Sequence, residues 1–513
     1  MKIFEVGKLN IKPVDVFERL FKDRPYPFLL ESGIRHPVYG RYSIMGSGPF
    51  LRFKSKGRHI EINENGKTRH LEGNPFNILK GLLAKFCRAS PATTPMDIGA
   101  IDRTPMESEP RWSDDSVGLR TIASETSGLR TVTSKAKALP YIGGAVGYFA
   151  YDLGAHIEKL PNIAKDDINL PDCYICFYHN CLIFDHIQNR AFIVGQDTDE
   201  LISSLKNIEN KPKKEIISHI SSKQSGKSGG LTSNFTYSSY IKAINRAKHY
   251  ISWGDIYQVN LSQRFVTQIE TPPFELYKRL RRVNPAPFSA FLDYRDFAVV
   301  SSSPERFLKV QDGIVQTRPI KGTRPRGKTV AEDRKLGREL LKSEKDRAEL
   351  VMIVDLERND LGRVCKYGTV RVKELVALEK YPTVFHTVAT VEGNLYKGKD
   401  AIDLLRATFP GGSITGAPKI RAMEIIEELE PTKRNIYTGA IGYLSFNGNM
   451  DLNIVIRTFI IKGNRAYFQV GGGIVADSNP EDEYQETLDK ARALITALKG
   501  GQGEPERVFE ECN

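Results

Sequence analysis

The chain has 513 residues, and its 40% hydrophobic content is enough for a large buried core. Its 74 Lys and Arg residues against 62 Asp and Glu give a net charge of +12. The basic residues are not gathered into a tail with interleaved aromatics, so we expect no nucleic-acid partner. The N-terminus MKIFEVGKLNIKP lacks the apolar run of a signal peptide, and no apolar stretch is long enough to span a membrane. A cytoplasmic protein with reduced thiols is expected.

Three of the cysteines lie in the stretch DCYICFYHNCLIFDH, as Cys173, Cys176 and Cys181. A zinc site built on this C-x-x-C would need a second paired cluster, and the sequence has none. The surrounding aromatic and branched residues instead predict small buried thiols in β-strands.

Two segments are predicted to be loose. Residues 89–138 are rich in Ser, Thr and Pro and have little periodicity, which is typical of a flexible surface insertion. Residues 221–233 have the composition of a flexible connector. The predicted organisation is therefore an N-terminal region at 1–220, a catalytic region at 234–500 and a tail at 501–513.

The elements after the connector alternate between helices and strands. NFTYSSYIKAINRAKHYISWGD predicts a helix with Tyr240, Ile244, Ala247 and Ile251 on one face. FAVVSSSPERFLKV predicts two strands around a turn, and residues 331–348 predict one charged helix. IYTGAIGYLSF, MDLNIVIRTFII and RAYFQVGGGIVAD, joined by short Asn/Gly turns, predict an antiparallel meander before a final helix. This order favours the α+β class.

The string GTRPRGKT fits the phosphate-loop pattern of nucleotide-binding proteins, and LVMIVD imitates the strand that ends in a metal-binding Asp. A phosphate loop must follow a buried strand and open a packed helix. Here the preceding strand carries Gln316 and Arg318, and the following helix is charged on most faces. A nucleotide triphosphatase is therefore the distant alternative.

An acid and a lysine flank the predicted strands. Glu305 follows a strand in SSSPERF, and Lys321 lies near the end of a later one, in PIKGT. If these strands form a hairpin, both side chains can face one pocket. Burial would raise the pKa of Glu305, which suits a proton donor, and Lys321 would be a nucleophile. A cross-strand ion pair is the alternative.

Two further carboxylates adjoin apolar helical positions, Glu349 and Glu486. Carboxylates from distant segments, with water and a substrate anion, are the usual ligands of Mg²⁺. Glu483, Glu486 and Lys490 share a helix face, and a solvated charged face is the alternative for them.

Other segments favour an anionic ligand. FPGGSITGAPKIRAMEIIEELEP places glycines and hydroxyls before a helix N-terminus, where backbone N–H groups can bind an anion. VGGGIVAD ends a strand with a backbone that a carboxylate can approach closely. Arg457 interrupts an apolar strand, and a buried arginine needs an anionic partner.

Together these segments resemble the chorismate-utilising enzymes. The segments that carry the resemblance are GDIYQVNLSQRF, NPAPFSAFL, SSSPERF, RPIKGTRPRG, KDRAELVMIVDLERNDLGRV, FPGGSITGAPKIRAMEIIEELEP, YTGAIGYLSF, NIVIRTF and GGGIVADSNPEDEYQET. PFLLESGIRHPVYGRYSIMG and GGAVGYFAYD are similar to the amino-transferring branch. The resemblance implies a single large catalytic unit of two facing antiparallel sheets flanked by helices, with chorismate as substrate and Mg²⁺ as cofactor.

The resemblance also implies a role for individual residues. Glu349 and Glu486 would hold the metal, Glu305 would be the general acid for the departing C4 hydroxyl, and Lys321 would be catalytic. The residues implied to contact the substrate are Gln258, Thr323, His386, Gly416, Tyr443, Arg457, Gly471, Gly472, Gly473 and Lys490. A tryptophan pocket is implied around Leu30, Glu31 and Ser32, with Pro285 and Pro287.

Two positions distinguish members of the resembled family. Water-adding members have a lysine where this chain has Gln258, and glutamine cannot deprotonate water. Anthranilate synthases have PIAGT where this chain has PIKGT, whereas aminodeoxychorismate synthases have the lysine. The resemblance therefore implies aminodeoxychorismate synthase component I, with anthranilate synthase component I as the alternative. Ammonia is expected from a separate glutamine amidotransferase subunit.

Overall fold

Two large antiparallel sheets form the centre of the molecule. The computed structural model describes residues 1–9, 11–34, 39–88, 130–131, 139–210, 230–381 and 384–500. One sheet has 13 strands and is called sheet I, and the other has 12 strands and is called sheet II. Helices cover the outer face of each sheet, so the predicted α+β fold with two facing sheets is confirmed.

The strands β1 to β25 are, in chain order, Lys2–Gly7, Phe28–Glu31, Tyr42–Gly46, Leu51–Lys56, His59–Glu64, Lys67–Glu72, Arg130–Thr131, Gly144–Phe149, Cys173–Tyr178, Cys181–Asp185, Arg190–Gly195, Thr232–Ser233, Gln258–Gln268, Phe288–Asp293, Phe297–Ser303, Arg306–Gln311, Ile314–Arg318, Ile320–Pro325, Arg371–Lys380, Val384–Asn394, Gly416–Ala417, Ala440–Ser445, Met450–Ile454, Thr458–Lys462 and Arg465–Ile474. The helices α1 to α10 are Pro13–Leu20, Pro75–Arg88, Asp199–Asn210, Tyr237–Ser252, Pro273–Val283, Val330–Lys342, Glu344–Gly362, Ala401–Thr408, Lys419–Leu429 and Pro480–Leu498.

Both sheets mix strands from the two halves of the chain. Sheet I runs β12-β13-β25-β24-β15-β14-β2-β3-β10-β11-β1-β7, with β21 also paired to β13. Sheet II runs β18-β20-β17-β16-β23-β22-β8-β9-β4-β5-β6, with β19 also paired to β20. Because β2 pairs with β14 and β8 pairs with β22, the regions 1–220 and 234–500 share both sheets.

Three apolar cores hold these layers together. Val146, Tyr174 and Ile441 of sheet II pack against Ile183 and Val299 of sheet I in the core between the sheets. A second core joins the outer face of sheet I to helices that include α1, α5 and α10. A third joins the outer face of sheet II to helices that include α2, α7, α8 and α9. Each sheet is therefore buried on both faces over much of its area.

The chain passes between the sheets at two neighbouring points, and this corrects the predicted meander. Strands β22 and β23 form a hairpin in sheet II, and β24 and β25 form a hairpin in sheet I. In the same way β15 lies in sheet I and β16 in sheet II. The Ser303 hydroxyl donates to the carbonyl of Ile454 at 2.6 Å, and the Ile454 N–H donates to the carbonyl of Glu305 at 3.0 Å. These bonds tie the two crossings together.

The charged segment predicted as one helix is two helices. Ser343 ends α6 and caps α7, since its hydroxyl accepts from the Asp346 N–H. LVMIVD lies inside α7, so it is not the strand that a nucleotide-binding fold requires. Helix α4 is confirmed, with Tyr240, Ile244 and Ala247 buried and Ile251 half-buried.

Several other sequence predictions concern the periphery. Cys173, Cys176 and Cys181 are buried, free thiols in β9 and β10, as predicted. Most of the predicted insertion at 89–138, most of the connector at 221–233 and the whole tail at 501–513 lie outside the described residues. Arg130–Thr131 within that insertion pairs with β1 at the edge of sheet I. Among the described residues, no helix is both long and apolar enough to cross a membrane.

A buried ion pair gives a test of this packing. Arg434 binds Glu430 through contacts of 2.7 and 2.9 Å and also donates to the carbonyls of Ile414 and Asn260. Because removal of one partner leaves the other charge buried, we expect Arg434→Leu to lower the free energy of unfolding by about 3–5 kcal/mol. Denaturant unfolding measures this. Arg492→Leu is the control, since its ion pair with Asp489 is exposed and should contribute less than about 1 kcal/mol. Equal losses in both variants would contradict the assignment.

Candidate active site

The predicted site residues converge where the two crossings meet one end of both sheets. Sheet I contributes β13 and β25, sheet II contributes β18 and β20, and helices α7 and α10 contribute acidic and basic side chains. The described residues found at this place are Gln258, Glu305, Lys321, Thr323, Glu349, His386, Gly416, Arg457, Gly471, Gly472, Gly473, Glu486 and Lys490. Tyr443 and the predicted tryptophan-pocket residues lie elsewhere.

Glu305 is a buried acid at the crossing from β15 to β16, with 5% of its surface exposed. Burial raises the pKa of its carboxyl to about 7, against the Ser413 hydroxyl, Lys321 and the Ile320 N–H, all of which favour the carboxylate. A carboxyl that titrates near neutrality can hold a proton and deliver it. Its geometry therefore fits the predicted general acid.

Lys321 reaches the site from β18 in sheet II. The following residue, Gly322, has φ +69° and forms a bulge in the pairing of β18 with β20. The Lys321 Nζ lies 3.7 Å from Glu349 Oε2, and the side chain is 13% exposed. The strand before Glu305, β15, lies in sheet I and β18 lies in sheet II, so these two strands form no hairpin with each other. The hairpin of β16 and β17 brings the two residues together instead, because Arg306 pairs with Arg318 and Glu305 thereby lies beside Ile320.

A close approach at Gly473 joins the two sheets at this point. A Cβ at this position would lie 2.3 Å from Gln258 Nε2 and 3.7 Å from Lys321 Nζ. Any larger residue would therefore displace the glutamine of sheet I, which lies beside the lysine of sheet II. The glycine leaves room for both side chains.

Three carboxylates lie beside these residues. Glu349 projects from α7, and Glu483 and Glu486 project from α10. A Cβ on Gly472 would lie 3.1 Å from Glu483 Oε2 and 3.6 Å from Glu486 Oε1, so both acids meet over this glycine. Partial desolvation opposes ionisation of Glu486, whose side chain is 50% exposed, but Lys490 and Lys321 outweigh it and lower its pKa. Glu486 is therefore a carboxylate at neutral pH.

The carboxylates have the chemistry of a divalent-cation site. Glu483 is 6% exposed, and its Oε2 has no hydrogen-bond partner among the described residues. Glu349 and Glu486 are the predicted ligands, and oxygen donors of this kind are the ligands that Mg²⁺ prefers. Within the residues that the structure describes, no group of three or more His, Cys, Asp or Glu side chains is placed to hold a metal alone. As carboxylates from two different helices, Glu349 and Glu486 have the ligand chemistry that fits Mg²⁺.

A buried arginine and a lysine form the anion-binding side. Arg457 has φ +54° at the crossing from β23 to β24, and its Nη1 donates to the carbonyl of Lys490 at 2.8 Å. Burial lowers the pKa of its guanidinium, and the neighbouring Tyr437 raises it. No carboxylate among the described residues forms an ion pair with it. Lys490 donates to the carbonyl of Gly471 at 2.8 Å and pairs with Glu486 at 2.5 Å. A buried arginine of this kind can bind a substrate carboxylate.

Thr323 and His386 face each other across β18 and β20. The Thr323 hydroxyl and the His386 Nδ1 are 2.9 Å apart, in a hydrogen bond. Burial lowers the pKa of His386 to about 4, and Arg457 lowers it further against the Gly322 backbone. The imidazole is therefore neutral at pH 7 and can donate one hydrogen bond while it accepts another.

Gly416 allows the loop before α9 to pack closely against β13. It has φ +147° and pairs with Val259, and a Cβ would lie 2.2 Å from the Gln258 carbonyl. The glycine-rich loop that precedes α9 thus packs against β13 and presents Ser413 to Glu305.

The comparisons with known proteins show the family of this chain. The profile of the family described as chorismate binding enzyme matches residues 96–496. The chain belongs to the chorismate-binding enzyme family. It is 41% identical to anthranilate synthase component 1 of Acetivibrio thermocellus, over 95% of this chain and 92% of that protein. It is 38% identical to aminodeoxychorismate synthase component 1 of Bacillus subtilis, over 94% of each. The crystal structure of anthranilate synthase component I from Streptococcus pneumoniae superposes with a TM-score of 0.69 at 30% identity, over 94% of this chain and 97% of that one.

Two residues of this chorismate-binding enzyme contact the site but were not predicted. Tyr437, in the loop before β22, lies beside Arg457, whereas the predicted Tyr443 lies inside β22 and faces another cavity. The segment YTGAIGY contains both Tyr437 and Tyr443. Which of the two lies beside Arg457 depends on where the chain crosses between the sheets, and the sequence does not show this. The side chain of Ser413 forms a hydrogen bond with Glu305. In the sequence this serine is distinguished only by its place in the glycine-rich loop.

Two more acids belong to the same surroundings. Glu483 was visible in the sequence, three residues before Glu486 on one face of α10. Glu357 of α7 is buried and accepts from Thr317 Oγ1 at 3.1 Å. Burial raises the pKa of Glu357 well above its ordinary value, and the charge of Glu305 raises it further. No sequence pattern marks Glu357, because its role depends on the crossing that brings Glu305 near α7.

The cavity that receives Tyr443 has a volume of about 370 Å³ and is lined by Leu30, Glu31, Pro287 and Tyr443 among others. Ser32 and Pro285, predicted with them, are not part of its lining: the Ser32 hydroxyl donates to the carbonyl of Ile34, and Pro285 packs on Gly33. Tryptophan binding in this cavity stays a prediction.

The backbone of Glu31 lines this cavity, and its carboxylate does not. Its carboxylate accepts from Tyr277 at 2.7 Å and from Arg281 at 2.5 Å, both on α5. Neighbouring strand residues face opposite sides of a sheet, so Leu30 points into the cavity and Glu31 points to the helix.

The string GTRPRGKT has no room for a phosphate. The Gly327 N–H donates to Asp333 at 3.0 Å, and the Lys328 N–H donates to Glu332 at 2.7 Å. Arg326 also forms a two-bond ion pair with Asp333. The acids of α6 therefore take the N–H groups that a phosphate loop would offer to a nucleotide.

The raised pKa of Glu305 gives a stability prediction. Its folded pKa of about 7 lies above its ordinary value of 4.5, so the stability from its buried neutral form is present at pH 4 and is lost as pH rises to 7. Glu305→Gln carries no such charge. We therefore expect the free energy of unfolding of Glu305→Gln, relative to wild type, to increase by roughly 3 kcal/mol between pH 4.5 and 8. Urea unfolding across this range measures it, and a pH-independent difference would contradict the buried acid.

Proposed function

We propose that this chain is component I of an aminodeoxychorismate synthase. It aminates chorismate at C4 with Mg²⁺ and with ammonia from a glutamine amidotransferase subunit, and it forms 4-amino-4-deoxychorismate, the precursor of 4-aminobenzoate and folate. The observation that carries the proposal is the position of the Lys321 amine. It lies 3.7 Å from Glu349, beside Gln258 and Gly473, and it is a neighbour of the buried acid Glu305.

The arrangement supports covalent amination. The Lys321 nitrogen attacks ring C2 while the double bond shifts and the C4 hydroxyl leaves. Glu305 gives its proton to that hydroxyl, which departs as water. Ammonia then adds at C4, the double bond shifts back, and the Lys321 nitrogen leaves C2. The new amine is therefore para to the ring carboxylate, and one difficult displacement becomes two easier ones.

The remaining residues bind and orient the substrate in this proposal. Arg457 and Lys490 supply positive charge for the carboxylates, and the backbone at Gly471 to Gly473 allows a close approach. His386 is neutral and bonded to Thr323, so it can donate to an uncharged oxygen. Bound Mg²⁺ would neutralise a substrate carboxylate, with Glu349 and Glu486 as protein ligands. The orientation of the ring fixes which carbon lies next to Lys321.

The alternative is anthranilate synthase component I. Relatives with both names match this chain at similar identity, so the comparisons leave the choice open. In an anthranilate synthase, ammonia attacks C2 directly and the amine ends ortho to the carboxylate. The buried amine of Lys321 favours the para reaction because it reaches the place from which that attack would come.

Identifying the product separates these activities. We expect the purified chain, incubated with chorismate, Mg²⁺ and an ammonium salt, to form 4-amino-4-deoxychorismate, detected by mass spectrometry and by conversion to 4-aminobenzoate when a lyase is added. Fluorescent anthranilate formed without a lyase would overturn the proposal. A control without ammonium should yield no aminated product.

Replacement of the lysine tests the covalent step. We expect Lys321→Ala to lower the rate of para amination by about a thousandfold or more, as for removal of other covalent nucleophiles, or to divert it to the ortho product. The KM for chorismate should change little, because Arg457 and Lys490 still bind the carboxylates. Lys335→Ala is the control, since that side chain is 74% exposed on α6. An unchanged rate of para amination in Lys321→Ala would refute the covalent role.

A further inference from the structure

A row of polar side chains follows the inner face of β13 and β25. Alternate residues of a strand share a face, so Gln258, Asn260, Ser262 and Arg264 point to the same side. Across the ladder, Gly473 pairs with Asn260, Gly471 with Ser262 and Gln469 with Arg264. The row, defined as Arg264, Gln469, Asn260 and Gln258, thus runs from the Asp167 ion pair of Arg264 to the glycine beside Lys321.

The row contains four buried polar atoms without a hydrogen-bond partner among the described residues. They are Gln258 Oε1, Asn260 Oδ1, Gln469 Oε1 and Arg264 Nη1. Gln258, Gln469 and Arg264 are 1%, 3% and 6% exposed. An unsatisfied buried polar group costs about 1–3 kcal/mol, so four on one face indicate that small polar molecules, water or a ligand, satisfy them.

The orientation of Gln469 follows from its neighbours. The Ser262 hydroxyl donates to Glu430 at 2.7 Å, so the same oxygen must accept from Gln469 Nε2, which lies 2.8 Å away. This leaves Gln469 Oε1 as the free acceptor. Asn260 Oδ1 lies over Gly471, where a Cβ would be 3.0 Å from it. The row therefore offers three amide oxygens as acceptors and one guanidinium N–H as a donor.

The outer part of the row borders a cavity of about 10 Å³, lined by Arg264, Gln469, Tyr437 and others. Such a volume holds one molecule of the size of water or ammonia. Tyr437 borders both this cavity and Arg457 of the active site. Tyr437 therefore links this cavity to the anion-binding side of the active site.

We propose that the row is a binding path for ammonia that leads to the Lys321 side of the active site. This inference rests on the amination proposed above. Ammonia has three N–H donors for the amide oxygens and one lone pair for Arg264. The cations Arg264 and Arg434 disfavour ammonium. The two carboxylates described at this end of the row are already bound, Glu430 by Arg434 and Ser262 and Asp167 by Arg264. The path therefore selects the neutral molecule, which is the nucleophile that amination needs.

The matched glutamines of β13 and β25 give the test. Gln469→Leu removes an acceptor of the row and keeps the side chain's size. Gln263→Leu is the control, because Gln263 is equally buried on the opposite face and both ends of its amide are bonded, to Ser233 and Thr487.

Initial rates of aminated product are measured at saturating chorismate against ammonium concentration at constant pH. We expect Gln469→Leu to raise the KM for ammonia about fivefold to tenfold, the loss expected for one hydrogen bond. Its kcat and its KM for chorismate should stay within about twofold, and Gln263→Leu should leave all three constants unchanged.

Other outcomes decide against the path. An unchanged KM for ammonia in Gln469→Leu would mean that the row holds structural water only, and an equal rise in Gln263→Leu would mean a general loss of packing. Asn260→Ala provides the same test if Gln469→Leu does not fold, with the same expected rise. If the wild-type chain forms no aminated product, both the proposed function and the ammonia path are refuted. If the wild-type chain forms an ortho or para aminated product but Gln469→Leu and Asn260→Ala leave the KM for ammonia unchanged, only the ammonia path is refuted.

Discussion

The active site depends on the hydrogen bonds between the two chain crossings. Ser303 and Glu305 belong to one crossing, and Ile454 and Arg457 belong to the other. These bonds hold the buried acid and the buried arginine at a fixed separation, although about 150 residues of sequence lie between them. Without this contact, the sheets could pack on each other and still leave the acid and the anion-binding side unrelated.

The surroundings give two similar acids different protonation states at one pH. Glu305 is buried at the crossing, and its pKa rises to about 7 despite the nearby lysine. Glu486 is half exposed and lies near Lys490, Lys321 and Lys345, which lower its pKa. One carboxyl can therefore keep a proton while the other binds a cation, and both lie within reach of one ligand. Lys321 contributes to both effects because it stands between them.

The sequence predicted the residues of the site better than their arrangement. Local patterns marked Glu305, Lys321 and Arg457, since each interrupts an apolar or turn-rich stretch, and the family resemblance supplied Glu349 and Glu486. The patterns gave the wrong strand connections, however. Strand–turn–strand segments predict hairpins, but the turn at Pro304 and the turn before Thr458 carry the chain to the other sheet. Local sequence contains the strand and the break but not the sheet that the next strand joins. The same limit explains Tyr443, because a tyrosine within a strand and one in the preceding loop look equivalent until the crossing is known.

Side chains from both sheets meet beside Gly473. Gln258 reaches it from sheet I and Lys321 reaches it from sheet II, and only the missing Cβ of the glycine leaves space for both. In the proposed amination, glutamine at position 258 can orient a small molecule at that edge but cannot take its proton. The amine of Lys321 approaches the same space from the facing sheet. Under that proposal, the basic nitrogen that acts as nucleophile belongs to sheet II.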